Sequence, residues 1–177
     1  SKYEDIDLLP EKIVIQINDT HPSLVIPELM RLLIDDLGLE WEHAWNLTTH
    51  TCAYTNHTIL AEALEKWPAD IMKPLLPRIY QLIEEINRRF CLELLEQYGY
   101  AKSDLINDLA IIHNGLVRMA HLCIVAAFSV NGVAKLHTEI LKNIEMKQFY
   151  DLYPKKFHNV TNGITHRRWL LHSNREL

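Results

Sequence analysis

A chain of 177 residues is long enough to bury a core of its own. Its 48% hydrophobic and 23% charged content excludes a disordered chain. The net charge of -5 argues against sequence-independent nucleic-acid binding, and no apolar run approaches the ~20 residues of a membrane helix.

In chain order, residues 1–11 read as polar and turn-like around Pro10. Lys12 to Ile17 is a β-rich run that predicts a buried strand, and the polar loop Asn18 to Pro22 follows. Ser23 suits an N-cap, Pro27 fits the first helical turn, and Leu24, Ile26, Leu29, Leu32, Leu33 and Leu37 form a helical stripe closed by Gly38. Trp41 to Leu47 predicts a short helix and Thr48 to Thr55 a second strand, with Asn56-His57-Thr58 as its exit loop. Ile59 to Lys66 predicts a short helix. Pro77 opens a long one reaching about Gln97, on the period of Ile79, Leu82, Ile83, Ile86 and Phe90. Asp104 to Asp108 reads as a helical turn. Val117 to Val130 reads as a core helix broken by Asn131-Gly132. Val133 to Lys142 and Met146 to Leu152 predict two more helices, Phe157 to Thr161 a short strand, Asn162-Gly163 a turn, and Thr165 the opening of a last helix. The fold class is α/β, mostly helical, without repeats or a flexible linker.

Cys52, Cys91 and Cys123 form no CxxC pair and read as reduced thiols of a cytosolic protein, and the polar start carries no secretion signal. The start without Met, and the stop soon after Arg167-Arg168-Trp169-Leu170-Leu171, read as an internal piece of a longer protein.

Polar clusters follow three of the predicted strands: Asp19-Thr20-His21, Asn56-His57-Thr58 and Asn162-Gly163. Open α/β sheets bind ligands outside the carboxyl ends of their strands, so the three loops point to one shared pocket. Such loops supply donors and acceptors without strong charge, which suits a hydroxyl-rich ligand. Plainer readings stand beside this one. Asp19 and Ser23 equally suit helix capping, His57 an ordinary loop, and Asn162-Gly163 a tight turn. Asp19 with His21, or His50 with Cys52, has metal-ligating chemistry without a spacing that demands a metal.

Four longer stretches carry a family resemblance. They are Ile15-Gln16-Ile17-Asn18-Asp19-Thr20-His21-Pro22-Ser23 with Ile26 to Arg31; Thr51-Cys52-Ala53-Tyr54-Thr55-Asn56-His57-Thr58; Met119-Ala120-His121-Leu122-Cys123 leading to Val130-Asn131-Gly132-Val133-Ala134; and Phe157 to Thr165 with Arg167-Arg168-Trp169. In this order and with these gaps the chain resembles the α-glucan phosphorylases, the glycogen and maltodextrin phosphorylases, in a bacterial flavour. The resemblance implies a two-domain, GT-B type architecture. Residues 1–162 are then the later portion of the N-terminal domain and 163–177 the first stretch of the C-terminal domain. It implies phosphorolysis of terminal α-1,4-linked glucose to glucose 1-phosphate in a full-length cytoplasmic enzyme. That enzyme uses pyridoxal 5'-phosphate through its phosphate group, takes glucan and phosphate as partners, and is a homodimer without membrane or nucleic acid.

By the same resemblance His57 binds the glucose 6-hydroxyl and turns its backbone carbonyl to the anomeric region, where a dipole favours developing positive charge. Asn162 also takes the 6-hydroxyl, Val133 is an apolar wall, and Asp19, His21, Thr58, Ala63 and Glu65 line a polar side channel. His166 stands where the family usually has proline, which implies an altered helix entry. No segment resembles the cofactor-lysine motif, so the piece alone is expected to be inactive and without bound cofactor. Competing readings are a nucleotide-sugar glycosyltransferase of similar architecture, a metal-dependent hydrolase built on Asp19, His21 and His57, and a non-enzymatic helical interaction module.

Overall fold

The computed structural model describes residues 5–176. A 3-10 turn, Ile6–Leu8, leads into α1 (Leu9–Lys12) and then β1 (Ile15–Asn18). There follow α2 (Val25–Arg31), α3 (Trp41–Thr51), β2 (Cys52–Thr55), β3 (Lys66–Pro68), α4 (Ala69–Leu75) and α5 (Pro77–Tyr98). The second half contains α6 (Ser103–Leu109), β4 (Ile112–His113), β5 (Leu116–Arg118), α7 (Met119–Ala126) and β6 (Ser129–Gly132). It closes with α8 (Lys135–Ile140), α9 (Lys147–Leu152), β7 (Phe157–Asn159) and α10 (His166–Ser173).

The main sheet has the order β1-β2-β6-β7, and every neighbouring pair is parallel. Parallel strands need helical crossovers, and a parallel sheet is covered on both faces. β2 shows the consequence, with Cys52, Ala53 and Tyr54 all buried rather than alternating. A small antiparallel sheet, β3-β5-β4, lies apart from it. The core joins Ile17, Tyr54, Val130 and Phe157 of the main sheet to Ile83, Ile86, Phe90 and Leu94 of α5 and to almost all of α7. A satellite cluster of Met30, Leu33, Ala44, Leu47 and Leu82 ties α2, α3 and α5 together.

Several expectations are corrected. Residues 1–4 lie outside the described part, but Ile6 to Lys12 is helical rather than turn-like, and the strand starts at Ile15. Ser23 makes no cap bond; Leu24 precedes the helix and the Ser23 hydroxyl is buried without a hydrogen-bond partner. Gly38 closes that stretch with φ 72°, after a π-turn over Leu32–Asp36. Thr48 to Thr51 continues α3, where the hydroxyls of Thr49 and Thr51 donate back to the carbonyls of Trp45 and Leu47. Ile59 to Lys66 is mostly loop, with a single 3-10 turn at Ala61–Ala63 and Lys66 in β3.

The largest difference is Val117 to Val130, which divides into a strand end, a helix and a strand beginning. An apolar run without period cannot distinguish a buried helix from a buried strand. Pairing decides here: Phe128 donates to the Cys52 carbonyl at 2.9 Å, and Val130 aligns with Tyr54 and Phe157. Asn131-Gly132 is therefore the end of a central strand, not a helix break.

Candidate functional site

Parallel pairing brings the carboxyl ends of β1, β2, β6 and β7 to one edge. Backbone hydrogen bonds continue past the strands and lock their exits together. Asp19 donates to the Thr55 carbonyl at 2.9 Å, Asn56 to Asn131 at 2.9 Å, Val160 to Gly132 at 3.1 Å and Asn162 to Val133 at 3.0 Å. His57, Val133 and Asn162 thus leave neighbouring strands on the same side. β2 and β7 flank β6, so the strands that lead into His57 and Asn162 are two spacings apart, about 10 Å. All three loops expected at strand ends are on this edge, and the exit of β6 is an unforeseen fourth.

The chain turns off β1 at Asp19, whose φ of 61° is left-handed, a conformation that Asp tolerates better than most residues. The Asp19 carboxylate accepts from the Thr20 amide at 2.7 Å. Next to it, the buried Thr20 hydroxyl donates to Glu65 Oε2 at 2.6 Å, and the Trp67 indole donates to Glu65 Oε1 at 2.8 Å. Exposed His21 brings Nδ1 to 4.0 Å from Glu65 Oε2. Glu65 thereby joins the loop after β1 to the small sheet. Ala63 is exposed on the 3-10 turn before it.

The second loop is built around Asn56, a fully buried polar residue. Its Nδ2 donates to the Tyr54 hydroxyl at 3.0 Å, and its Oδ1 accepts from the Thr58 amide at 2.9 Å. This side-chain turn fixes the backbone on either side of His57. His57 Nε2 lies 2.7 Å from Asn18 Oδ1 at the end of β1. The amide oxygen can only accept, so in the singly protonated ring the hydrogen sits on Nε2 and Nδ1 is left free to accept from a hydroxyl. A chain of side-chain bonds, Gln16 to Thr55 and Thr55 to Asn131, each 2.8 Å, runs across three strands just beneath this edge.

Val133, half-buried, follows directly after Gly132, and Asn162 is exposed at the last loop. His166 takes the first position of α10, and its amide donates to the Ile164 carbonyl at 3.0 Å, a bond that proline could not make. Thr20 and Asn56 came with the polar clusters at the strand ends, whereas Asn18, Asn131 and His137 belong to this neighbourhood although sequence reasoning did not single them out as site residues. The signal for Asn131 was hidden by the apparent helix ahead of it.

The metal-hydrolase alternative finds no support in this geometry. Among the described residues no three His, Cys, Asp or Glu gather as a metal cage. His57 is engaged by Asn18, and His21 is turned to Glu65. No described helix is long and apolar enough to cross a membrane. A cleft of about 560 Å³ between α3 and α5, lined by Trp41, Trp45, Arg89 and Glu93, reaches Val125 at the end of α7, toward the opposite, amino edge of the sheet.

A parallel sheet with amide-, hydroxyl- and imidazole-bearing loops along its carboxyl edge has the arrangement at which open α/β folds bind ligands, and the α/β fold is consistent with part of a GT-B type glycosyltransferase. A family model described as carbohydrate phosphorylase matches residues 1–177, and the chain belongs to that family. It is 56% identical over 173 residues to the glycogen phosphorylase of Bacillus subtilis (strain 168), covering 97% of this chain and 21% of that protein. It is 52% identical over 173 residues to the muscle form of glycogen phosphorylase from Ovis aries, covering 96% and 20%. The muscle form from Homo sapiens is 51% identical over 170 residues, covering 94% and 20%. The chain spans about a fifth of the length of these curated relatives.

Proposed function

We propose that the full-length protein performs phosphorolysis of terminal α-1,4-linked glucose in glycogen or maltodextrin, releasing glucose 1-phosphate, and that this segment supplies one wall of the glucose pocket. The observation that carries the reading is the common edge on which β2, β6 and β7 present His57, Val133 and Asn162. A hexose ring with its hydroxyls spans a distance of that order.

In this reading His57 accepts the 6-hydroxyl at Nδ1 while Asn18 holds the ring from behind. Asn162 supplies a second amide partner, and Val133 packs against the apolar face of the sugar. Because Asn56 fixes the peptides around it, the His57 carbonyl is available as a preorganised dipole for positive charge at the anomeric carbon. Asp19, His21, Thr58, Ala63 and Glu65 form the adjoining polar channel. Residues 1–162 act as the closing part of one domain and 163–177 open the next. The exposed side of α10 supports that division, since the helix buries none of its residues and leaves Trp169 66% and Leu171 69% accessible.

Pyridoxal phosphate is the cofactor of the full-length enzyme in this reading and supplies phosphate-mediated proton transfer there. Lys156 does not fit it. Burial drives this amine down to about 8, yet it sits at the amino end of β7, far along the strand from the candidate edge. It donates to the carbonyls of Ile124 and Val125 at 3.1 Å each, which caps the end of α7. The enzyme's place is proposed as cytoplasmic, and its assembly as a homodimer.

The test is direct. Purified full-length protein with maltodextrin and inorganic phosphate should release glucose 1-phosphate. Transfer that instead requires a nucleotide sugar, with none from phosphate, would replace this reading by the glycosyltransferase alternative.

A further inference from the structure

His137 lies one helical turn beyond the candidate pocket and has no part in the reading above. Its position depends on Gly132. A Cβ at Gly132 would stand 2.5 Å from Thr138 Oγ1, 3.0 Å from Thr138 Cα and 3.1 Å from His137 Nδ1. Only glycine lets the first turn of α8 lie directly on the end of β6. At that close approach the Val133 amide donates to His137 Nδ1 at 3.0 Å.

An acceptor at Nδ1 places the ring hydrogen on Nε2. Nε2 is buried and has no hydrogen-bond partner. The Thr58 backbone nevertheless faces the ring, close enough to favour its protonated form, while burial, first, and His57 pull the other way. So one imidazole touches the exit of β6 on one side and the His57-Thr58 turn on the other, with a donor left open between them. A buried donor without a partner is costly, at about 1–3 kcal/mol, and calls for a physical explanation.

We propose that His137 is a positioning residue of the sugar site: it ties Val133 to the His57-Thr58 turn and so aims the His57 carbonyl. This rests on the phosphorylase reading above. A carbonyl dipole acts on charge that develops only in the transition state, so the benefit of aiming it falls on turnover rather than on ground-state affinity.

The experiment uses the full-length enzyme with maltodextrin and phosphate, comparing wild type with His137→Leu and His137→Asn. Leucine removes both ring nitrogens. Asparagine keeps an acceptor for the Val133 amide but does not reach Thr58. His137→Asn should unfold at nearly the wild-type temperature, yet lose roughly tenfold in kcat with KM for glucan little changed. His137→Leu should lose at least as much kcat and also unfold earlier. Wild-type kcat in His137→Asn, a loss confined to KM, or a kcat loss that only tracks the fraction of unfolded protein would overturn the proposal. A wild-type enzyme that releases no glucose 1-phosphate would instead remove the phosphorylase reading, and this proposal with it.

Discussion

The Asn162 amide donates to the Val133 carbonyl at 3.0 Å, so two residues 29 positions apart leave adjacent parallel strands as one surface. His57 reaches the same edge one strand further on, held by Asn18 at 2.7 Å. The geometry of the candidate pocket is thus set by strand order.

If that edge holds the sugar, His57→Ala and Asn162→Ala in the full-length enzyme each remove one hydroxyl partner. Losses of ~1–3 kcal/mol correspond to roughly fivefold to 150-fold in kcat/KM for glucan. Steady-state kinetics at saturating phosphate checks this. Two unaffected variants would move the glucose site elsewhere.

Glu65→Ala strips the buried Thr20 hydroxyl and the Trp67 indole of their shared acceptor. The desolvated Thr20 hydroxyl left without a partner costs ~1–3 kcal/mol, whereas the exposed Trp67 indole can turn to water, so the urea midpoint should fall, and Glu65→Gln should recover part of the loss by keeping an amide oxygen in place. Equal midpoints for Glu65→Ala and wild type would show that water replaces both bonds.

Gly132→Ala forces a methyl group to 2.5 Å from Thr138 Oγ1, with the Thr138 backbone next in line at 3.0 Å. Thr138 Oγ1 is buried on a stiff β-branched side chain and engages the Ala134 carbonyl and Asn159 Oδ1, so neither it nor the α8 backbone yields easily. Overpacking of this kind costs ~1–3 kcal/mol, read as a lower denaturant midpoint with the slope unchanged. Gly163→Ala meets nothing within 4 Å and serves as the control.

His121 gives the chain a pH dependence of defined sign. Burial, reinforced by Arg118, lowers its ring from 6.5 to about 4, while Nδ1 faces the Leu109 carbonyl at 3.1 Å. The unfolded chain takes up a proton near pH 6.5 and the folded chain only near 4, so the neutral ring stabilises the fold fully above 6.5. That stability drains away as pH falls through this window, up to about 3 kcal/mol, and less to the extent that solvent reaches the ring. Urea unfolding at pH 7 and pH 5 should show the loss, and His121→Gln should flatten it. An unchanged slope in the variant would assign the effect to other groups. The salt-bridged Glu85, held down to about 2 by Arg88 and then Arg89, loses its contribution between its ordinary 4.5 and about 2, so it changes little between pH 7 and pH 5.

Periodicity alone made α5 legible, because its buried Leu82, Ile83, Ile86, Phe90 and Leu94 recur on one stripe and Pro77 marks its start. Motif resemblance made the family and the candidate residues at three strand exits legible. The sequence could not place α7 and β6. A run that is apolar on every side has no period, and whether it coils or extends depends on which partner lies beside it. Cys52 and Phe157, 105 positions apart, lie on the two strands that pair with β6 on either side, and those pairings made Ser129 to Gly132 a strand. Local composition determined where the polar loops fall and what chemistry they carry. Only the parallel strand order decided that four of them open on one edge, because backbone pairing between distant segments is a contact that no short window of sequence contains.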